Sequence, residues 1–354
     1  MSATLTRPDT SQRNAVDAVI AGRRRRSRRR ALVTGTLAAA TIGAFALSLM
    51  VGNTFYGLDE VVRVIAGEIV PGASFTVGEL RLPRAVLAVL AGSSFGVAGV
   101  TFQTMLRNPL AAPDIIGISS GASAAAVFGI VVLSLSETMV SLLAVGGALL
   151  TAVAIYLLSN KGGFAGTRLI LIGIGVAAML DSTVTYLLSG AAVWDLQAAM
   201  RWLTGSLNGA SWSVVLPLAL AFVILVPVLL GQGRSLGMLR LGDDSAAALG
   251  VRVHRTRFTA IVVAVAILAF ATAATGPIAF VAFMAGPIAA RLVGPGASLL
   301  VPSGFVGALL VLVADLVGQF AFDSRYPVGV ITGVLGAPYL IYLLIRTNRS
   351  GGSL

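Results

Sequence analysis

The chain has 354 residues, of which 57% are hydrophobic and only 11% are charged, and its formal net charge is +11. An average soluble domain contains roughly 25% charged residues. A chain this apolar cannot cover its own surface with polar groups, so lipid must form part of its solvent. The composition argues against a disordered chain, a fibrous repeat and a DNA-binding domain. Because the chain contains no cysteine, a disulfide framework and a thiolate metal site are excluded.

Positive charge is concentrated at the amino terminus, where nine arginines precede residue 31 and the apolar run 31–50 follows at once. Basic residues beside a membrane span favour the cytoplasmic side, so we expect a cytoplasmic amino terminus. Binding of nucleic acid or of anionic lipid by this arm is an alternative, and so is a cleaved targeting signal.

Apolar segments long enough to cross a hydrocarbon core of about 30 Å recur ten times along the chain. Gly and Pro interrupt the third, seventh and eighth of them. The predicted spans are residues 31–52, 84–106, 114–133, 140–158, 168–190, 212–232, 257–275, 277–292, 299–318 and 328–346. An even number of spans returns the carboxyl terminus to the cytoplasm. All but five of the 25 Lys and Arg residues then lie in cytoplasmic segments.

The predicted fold is therefore an all-α integral membrane protein with about ten transmembrane helices. Residues 1–30 form a basic cytoplasmic arm, residues 31–346 form the ten-span domain, and residues 347–354 form a cytoplasmic tail. Two sets of five spans would run in opposite senses, which is typical of an inverted five-helix repeat.

Three G-x-x-x-G pairs indicate helices that approach one another closely, because glycine lets two backbones meet inside a membrane. We interpret these glycines as packing residues and not as ligand sites. The pairs are Gly92 and Gly96, Gly117 and Gly121, and Gly329 and Gly333.

Patterns of catalytic chemistry are missing from the sequence. No G-x-x-x-x-G-K-[ST] loop occurs, so the chain does not hydrolyse ATP by that route. The one histidine, His254, lies among arginines in an inner loop, where we expect a solvated side chain and not a catalytic base. No carboxylate pair or histidine cluster predicts a metal site. The two carboxylates inside spans, Asp181 and Asp315, are functional candidates. Asp181 could line a watery path or make a structural hydrogen bond.

Two polar segments are typical of contacts with other proteins. Arg81 and Arg84 flank Leu-Pro at the outer entrance of the second span, where a forked cationic pair could bind carboxylates. Anchoring at the membrane interface is the alternative. On the cytoplasmic side, residues 241–251 contain two aspartates that can cap a short helix and a glycine that can end it. Such a helix could fill a groove in a partner, or could merely connect two spans.

Three further segments interrupt apolar spans with Gly and Pro. They are residues 99–122, residues 275–292 and residues 326–340. At all five segments, taken together and in their order along the chain, the sequence resembles the iron–siderophore and vitamin B12 (FecCD-type) permease family of ABC importers. The resemblance extends from the first span to Arg346 and is closest to permeases of the ferric-enterobactin type.

This resemblance implies a type II importer, in which two ten-helix permeases meet two cytoplasmic ATPase subunits and an extracytoplasmic substrate-binding protein. The chain would be a ferric-siderophore permease of the bacterial inner membrane, paired with a different permease chain. It would hold no cofactor itself, since ATP and Mg would bind to the ATPase. A vitamin B12 or haem permease is the alternative within this architecture. An ion-coupled secondary carrier is the alternative from a different class.

The resemblance also implies roles for individual residues. Docking of the binding protein would fall to Arg81, Arg84 and Arg325. The ATPase coupling segment would be 236–256, with contact residues Leu241, Gly242, Asp243, Asp244, Ala247, Leu249 and Gly250. The gate and pathway would involve Gly166, Thr167 and Asp181. The structural motif residues would be Gln103, Asn108, Pro109, Gly117, Gly121, Asp315, Pro327, Gly329 and Pro338.

Two positions depart from the family pattern. Gly286-Pro287 stands where Pro-His or Pro-Gln is common. Gln319 stands four residues after Asp315, where a third docking arginine is usual. Arg325 lies directly before Tyr326-Pro327, and we expect it to supply the missing outer cation.

Overall fold

The computed structural model describes residues 10–113, 116–159, 166–294 and 298–349, and in these ranges the chain consists of helices and connecting turns. A π-helical segment, Ser74–Arg81, leads directly into the third helix. The α-helices are α1 (Thr10–Met50), α2 (Leu58–Ile65), α3 (Leu82–Leu106), α4 (Ile118–Val131), α5 (Glu137–Ser159), α6 (Gly166–Ser189), α7 (Val193–Leu203), α8 (Trp212–Gly231), α9 (Gly233–Leu239), α10 (Asp243–Ala248), α11 (Val253–Thr275), α12 (Val281–Val293), α13 (Leu300–Phe320) and α14 (Val328–Arg349).

The all-α membrane fold predicted from the sequence is confirmed. Eight helices among the described residues are long and apolar enough to span a membrane, and α4 and α12 are two shorter apolar helices. These ten helices correspond to the ten predicted spans. The third and eighth spans are shorter than predicted, because residues with positive φ precede them. Gly117 (φ 86°) directly precedes α4, and Phe280 (φ 63°) directly precedes α12.

Helix α1 extends across residue 30, the predicted boundary between the basic arm and the first span. It runs without interruption from Thr10 to Met50, so the basic segment and the first span form one helix of 41 residues. At about 1.5 Å per residue this helix is roughly 60 Å long, twice the thickness of a hydrocarbon core.

Helix α3 lies at the centre of the bundle. Within an apolar stretch of 18 residues in the span that includes α3, 83% of the residues are buried, against 17% in the corresponding stretch of α6. Helix α13 has the most extensive contact with α3, and α11 and α12 also pack on it. Small residues make these approaches possible. A Cβ atom at Gly92 would meet the carbonyl of Gly307, one at Gly96 would meet Ser303, and one at Gly99 would meet Ala282.

The glycines of the two remaining pairs meet different neighbours. Gly121 faces Gly147 and Thr151 of α5, so α4 and α5 also approach closely. Gly329 packs on the carbonyl of Thr204. Gly333 is different, because a Cβ there would meet no atom within 4 Å among the described residues. The predicted packing role of Gly333 is therefore wrong within this chain.

We expect Gly96→Ala to lower the Tm of the detergent-solubilised protein, because its added methyl group would press on the Ser303 backbone. Overpacking of this kind typically costs about 1–3 kcal/mol. The matched control is Gly146→Ala in α5, where a Cβ would meet open space. Thermal unfolding should show a loss of Tm for the first variant and none for the second, and equal values would contradict the close contact of α3 with α13.

Candidate functional site

The polar residues of interest form two groups, one at each end of α3. At the end predicted to face outward, called the outer end, Arg81 holds the last turn of α1. Its Nη1 atom donates to the carbonyl oxygens of Leu49 and Met50, both at 2.9 Å, and its Nη2 atom donates to Thr54 at 2.7 Å. The guanidinium carbon also lies 5.0 Å from the centre of the Tyr56 ring. Arg81 therefore caps α1, and its donors are directed at the chain's own backbone.

Arg84 forms a bidentate ion pair with Asp315. Its Nε atom donates to Oδ2 at 2.9 Å and its Nη2 atom to Oδ1 at 2.7 Å, while Nη1 donates to Asn208 at 2.8 Å. The Gln319 amide donates a further hydrogen bond of 2.7 Å to the same carboxylate. The Asp315 side chain is only 8% exposed and that of Arg84 is 22% exposed. This cluster joins α3 to α13 across 231 residues of sequence.

These contacts differ from the predicted arrangement of the outer cations. Arg81 and Arg84 were predicted to present a forked pair to the outside, but both guanidinium groups are bound mainly to groups of this chain. Gln319 contributes an amide to the Asp315 carboxylate where an arginine was expected. Arg325 is exposed and donates one hydrogen bond of 3.0 Å to Asn53. Their docking role stays a prediction, and Arg325 is the most accessible of the three.

A second exposed cation on this side is Arg63. Its Nε atom lies 2.6 Å from Oε2 of Glu68. The hydrogen bond and the negative charge of Glu68 raise the pKa of Arg63, because both stabilise the charged guanidinium. Arg63 therefore offers a neutralised pair and not a free positive charge.

At the opposite end of α3, which is predicted to face the cytoplasm and is called the inner end, Asp243 binds two arginines from two other parts of the chain. Arg257 of α11 donates to its Oδ2 and Oδ1 atoms at 2.6 and 2.7 Å. Arg107, the residue that ends α3 in a left-handed conformation, donates to Oδ1 at 3.1 Å. Arg257 is buried, whereas Arg107 and Asp243 are partly exposed. One carboxylate thus connects α10 with both α3 and α11.

The predicted coupling segment contains the short helix α10, which is flanked by exposed apolar side chains. Residues Gly242 (φ 105°) and Gly250 (φ 85°) lie on either side of α10, in conformations that favour glycine. Leu241 and Leu249 are 64% and 60% exposed. Asp244 and Ala247 are also exposed. Arg107 and Arg257 hold Asp243 against the bundle. The four exposed side chains form a small outward surface that lies close to the end of α3.

The Gln103 side chain supplies a hydrogen bond that the backbone of α12 lacks. Pro287 has no N–H group, so the carbonyl of Phe283, four residues earlier, lacks its helical partner. The Gln103 Nε2 atom donates to that carbonyl at 3.0 Å. Gly286 leaves the room that this amide needs, since a Cβ there would collide with the Gln103 oxygen. The departure at Gly286-Pro287 is thereby explained as packing.

Asn108 shapes the turn after α3. Its Oδ1 atom accepts a hydrogen bond of 2.9 Å from the N–H of Leu110, and its own N–H donates to the Gln103 carbonyl at 3.1 Å. Pro109 lies inside this turn. At the far end of the chain, Pro327 directly precedes α14, the N–H of Gly329 donates to Gly205 at 3.0 Å, and Pro338 lies within α14.

The predicted gate and pathway residues lie along α6. Gly166 is the first residue of this helix, and Thr167 beside it is exposed. Asp181 is exposed near the middle of the helix, on a stretch that also carries exposed Ser182 and Thr185. On another side of α6, Gly117 packs closely, since a Cβ atom there would lie 3.0 Å from the Gly173 carbonyl oxygen. Helix α6 therefore leaves a polar strip outside the bundle core.

Sequence reasoning missed Arg107 and Arg257 as partners of Asp243, and Asn208 as a partner of Arg84. Arg257 carried a usable signal, because a charge at the start of an apolar span needs a partner if it is buried. The described residues contain no group of three or more His, Cys, Asp or Glu side chains that could hold a metal ion.

Comparison with known proteins gives concordant matches. The model of the FecCD transport family matches residues 40–346. The achromobactin transport system permease CbrC of Dickeya dadantii is 40% identical over 306 residues, covering 85% of this chain and 88% of that protein. The ferric enterobactin transport system permease FepG of Escherichia coli is 38% identical over 324 residues, covering 91% and 98%.

A solved structure has the same fold. It is described as an inward-facing conformation of a metal-chelate type ABC transporter, and the TM-score is 0.80 at 26% sequence identity. The match covers 89% of this chain and 99% of that one.

We expect Asp315→Asn to lower stability, because Arg84 would lose its carboxylate in a largely buried position. Breaking a fully buried pair typically costs about 3–5 kcal/mol, and partial exposure should reduce this. The double variant Arg84→Gln with Asp315→Asn should recover part of the loss. A double-mutant cycle of unfolding in mixed micelles measures the coupling.

The control for this cycle is the exposed pair Arg63 and Glu68, replaced by Gln in the same way. Its coupling should be small, because water and salt screen an ion pair on the surface. A coupling no larger at Arg84 and Asp315 than at the control pair would refute the structural role assigned to the outer cluster.

Proposed function

Because the chain belongs to the FecCD transport family, we propose that it is the permease subunit of an ATP-driven importer for ferric siderophores. The observation that carries this proposal is the family match over residues 40–346. The names of two relatives, which refer to achromobactin and ferric enterobactin, support a ferric-siderophore substrate. The fold shared with a metal-chelate transporter points the same way.

The complete importer would contain further chains. We propose two cytoplasmic ATPase subunits that bind ATP and Mg, an extracytoplasmic binding protein, and a second, different permease chain. The strongly exposed face of α6 is consistent with a partner permease or a shared pathway beside it. The excess of positive charge in the predicted inner segments supports an inner-membrane protein with both termini in the cytoplasm.

Force from the ATPase would enter through α10. Exposed Leu241 and Leu249 would seat in a groove of the ATPase, where apolar side chains gain most from leaving water. Asp243 would transmit the movement, because its two arginines connect α10 to α3 and α11. Since α3 holds the bundle together, a displacement at its inner end would reach the outer end as a rigid-body motion.

The outer surface would receive the loaded binding protein. Arg325 is the exposed cation best placed to meet a carboxylate of that protein. Arg81 and Arg84 would act mainly by fixing the structure of this outer surface, since they hold α1 and α13 in position. Asp181 and its polar neighbours on α6 would line the path between two permeases.

The proposed function is tested by uptake into proteoliposomes that contain the chain with its ATPase, partner permease and binding protein. We expect ATP-dependent import of ferric enterobactin, and no comparable import of cobalamin or haem. Leu249→Glu should reduce uptake by at least about tenfold, because it places a carboxylate in an apolar contact. Leu249→Met, which keeps the apolar surface, is the matched control.

Several results would contradict parts of this proposal. Uptake that follows an ion gradient without ATP would identify a secondary carrier. Normal ATP-driven uptake by the Leu249→Glu variant would refute the coupling assignment while leaving the family membership intact. Preferred import of cobalamin or haem would correct the substrate alone.

We expect Arg325→Glu to weaken binding of the substrate-binding protein by about tenfold or more, because the variant opposes a carboxylate with a like charge. Arg63→Glu is the control, since it makes the same charge change at a residue already paired with Glu68. Surface plasmon resonance on the reconstituted permease measures both affinities. Equal affinities for wild type and Arg325→Glu would remove Arg325 from the docking surface.

A further inference from the structure

We infer that the basic segment of α1 is a binding site for anionic phospholipid headgroups, in the leaflet where the amino-terminal half of this helix leaves the membrane. The segment, called the basic collar below, carries seven arginines within residues 23–30. Its members are Arg23, Arg24, Arg25, Arg26, Arg28, Arg29 and Arg30. The inference concerns a lipid site and does not depend on which substrate the protein transports.

The first support is the continuity of α1. The helix passes from the basic collar into the apolar run 31–50 without a break. Twenty residues at about 1.5 Å each match a hydrocarbon core of about 30 Å. Arg30 therefore lies at the edge of the core, and Arg23 lies only about 10 Å further along the helix axis. This distance is comparable to the headgroup layer and to the Debye length of about 8 Å at physiological salt.

The second support is the arrangement of the arginines around the helix. Successive residues turn by about 100°, so seven arginines in eight positions point in all directions and not along one face. All seven are exposed. A folded protein partner would cover one side of the helix, whereas headgroups surround a membrane-crossing helix on every side. The collar therefore fits a lipid layer better than it fits a protein groove.

The third support is the way in which the collar is held. Arg29 donates to the carbonyl oxygen of Leu292 at 3.1 Å, at the end of α12. This contact fixes one side of α1 to the bundle. All seven arginines nevertheless remain exposed, and Asp17 is the only acidic residue in α1. Guanidinium groups bind phosphate bidentately, and the positive charge of the collar favours lipids with a net negative headgroup over zwitterionic ones, whose own cation opposes the arginines.

The experiment uses the full chain in detergent with added phosphatidylglycerol or phosphatidylcholine, and native mass spectrometry counts the retained lipids. Wild type should retain phosphatidylglycerol preferentially. The variant R23Q/R24Q/R25Q/R26Q, which leaves Arg29 in place, should lose at least about tenfold of this retention, since each arginine near an anionic surface contributes several-fold. The corresponding quadruple lysine variant keeps the charge and should retain most of the binding.

A second quadruple variant, R234Q/R240Q/R252Q/R255Q, removes the same charge from exposed arginines elsewhere. It should keep its phosphatidylglycerol. Equal losses in the two glutamine variants would show that retention follows net charge, and would overturn the collar as a site. Unchanged lipid retention in the collar variant, accompanied by loss of a co-purifying ATPase, would assign the segment to a protein partner instead. Because lipid retention needs no ATPase or substrate, failure here is distinguishable from failure of the proposed transport function.

Discussion

The close approach of α3 to α13 is the contact on which the rest of the structure depends. Carbonyl groups of Ser303 and Gly307 occupy the space that side chains at Gly96 and Gly92 would need. Without an apolar driving force between helices in lipid, packing of this closeness and buried polar contacts must hold the bundle together. Helix α3 supplies both, because it is buried along its length and carries a polar anchor at each end.

The polar clusters at the two ends of α3 differ in exposure and in the number of charged partners. At the outer end, the ion pair of Arg84 and Asp315 is shielded and completed by Asn208 and Gln319, so it fixes α3 to α13. At the inner end, Asp243 is partly exposed and shared between Arg107 and Arg257. When one carboxylate binds two arginines, one ion pair can lengthen while the other is kept, so the carboxylate is never left without a partner. This geometry suits a joint that transmits motion, whereas the outer cluster suits a fixed rim.

Much of the architecture was predictable from residue patterns. Spans such as α5 and α13 were located within a few residues, because a bilayer demands about 20 apolar residues and the chain contains few charges. The starts of α4 and α12 were not, since Gly117 and Phe280 take left-handed conformations inside segments whose composition is largely apolar on both sides of them. The structural role of Gly286-Pro287 was also not predictable from the sequence. Only the structure places the Gln103 amide beside the carbonyl that Pro287 leaves unpaired.

The sequence by itself determined that this protein lies in a membrane, which ten apolar segments form helices and which family motifs it carries. These properties follow from local composition, since hydrocarbon tolerates only long apolar helices with their backbone bonds satisfied internally. The tertiary structure decided which charges are available for other molecules. Arg81, Arg84 and Arg325 look alike in sequence, but Arg81 and Arg84 are each held by several hydrogen bonds within the chain, whereas Arg325 is exposed and makes one. That distinction arises from contacts between residues far apart in the chain, which no local pattern encodes.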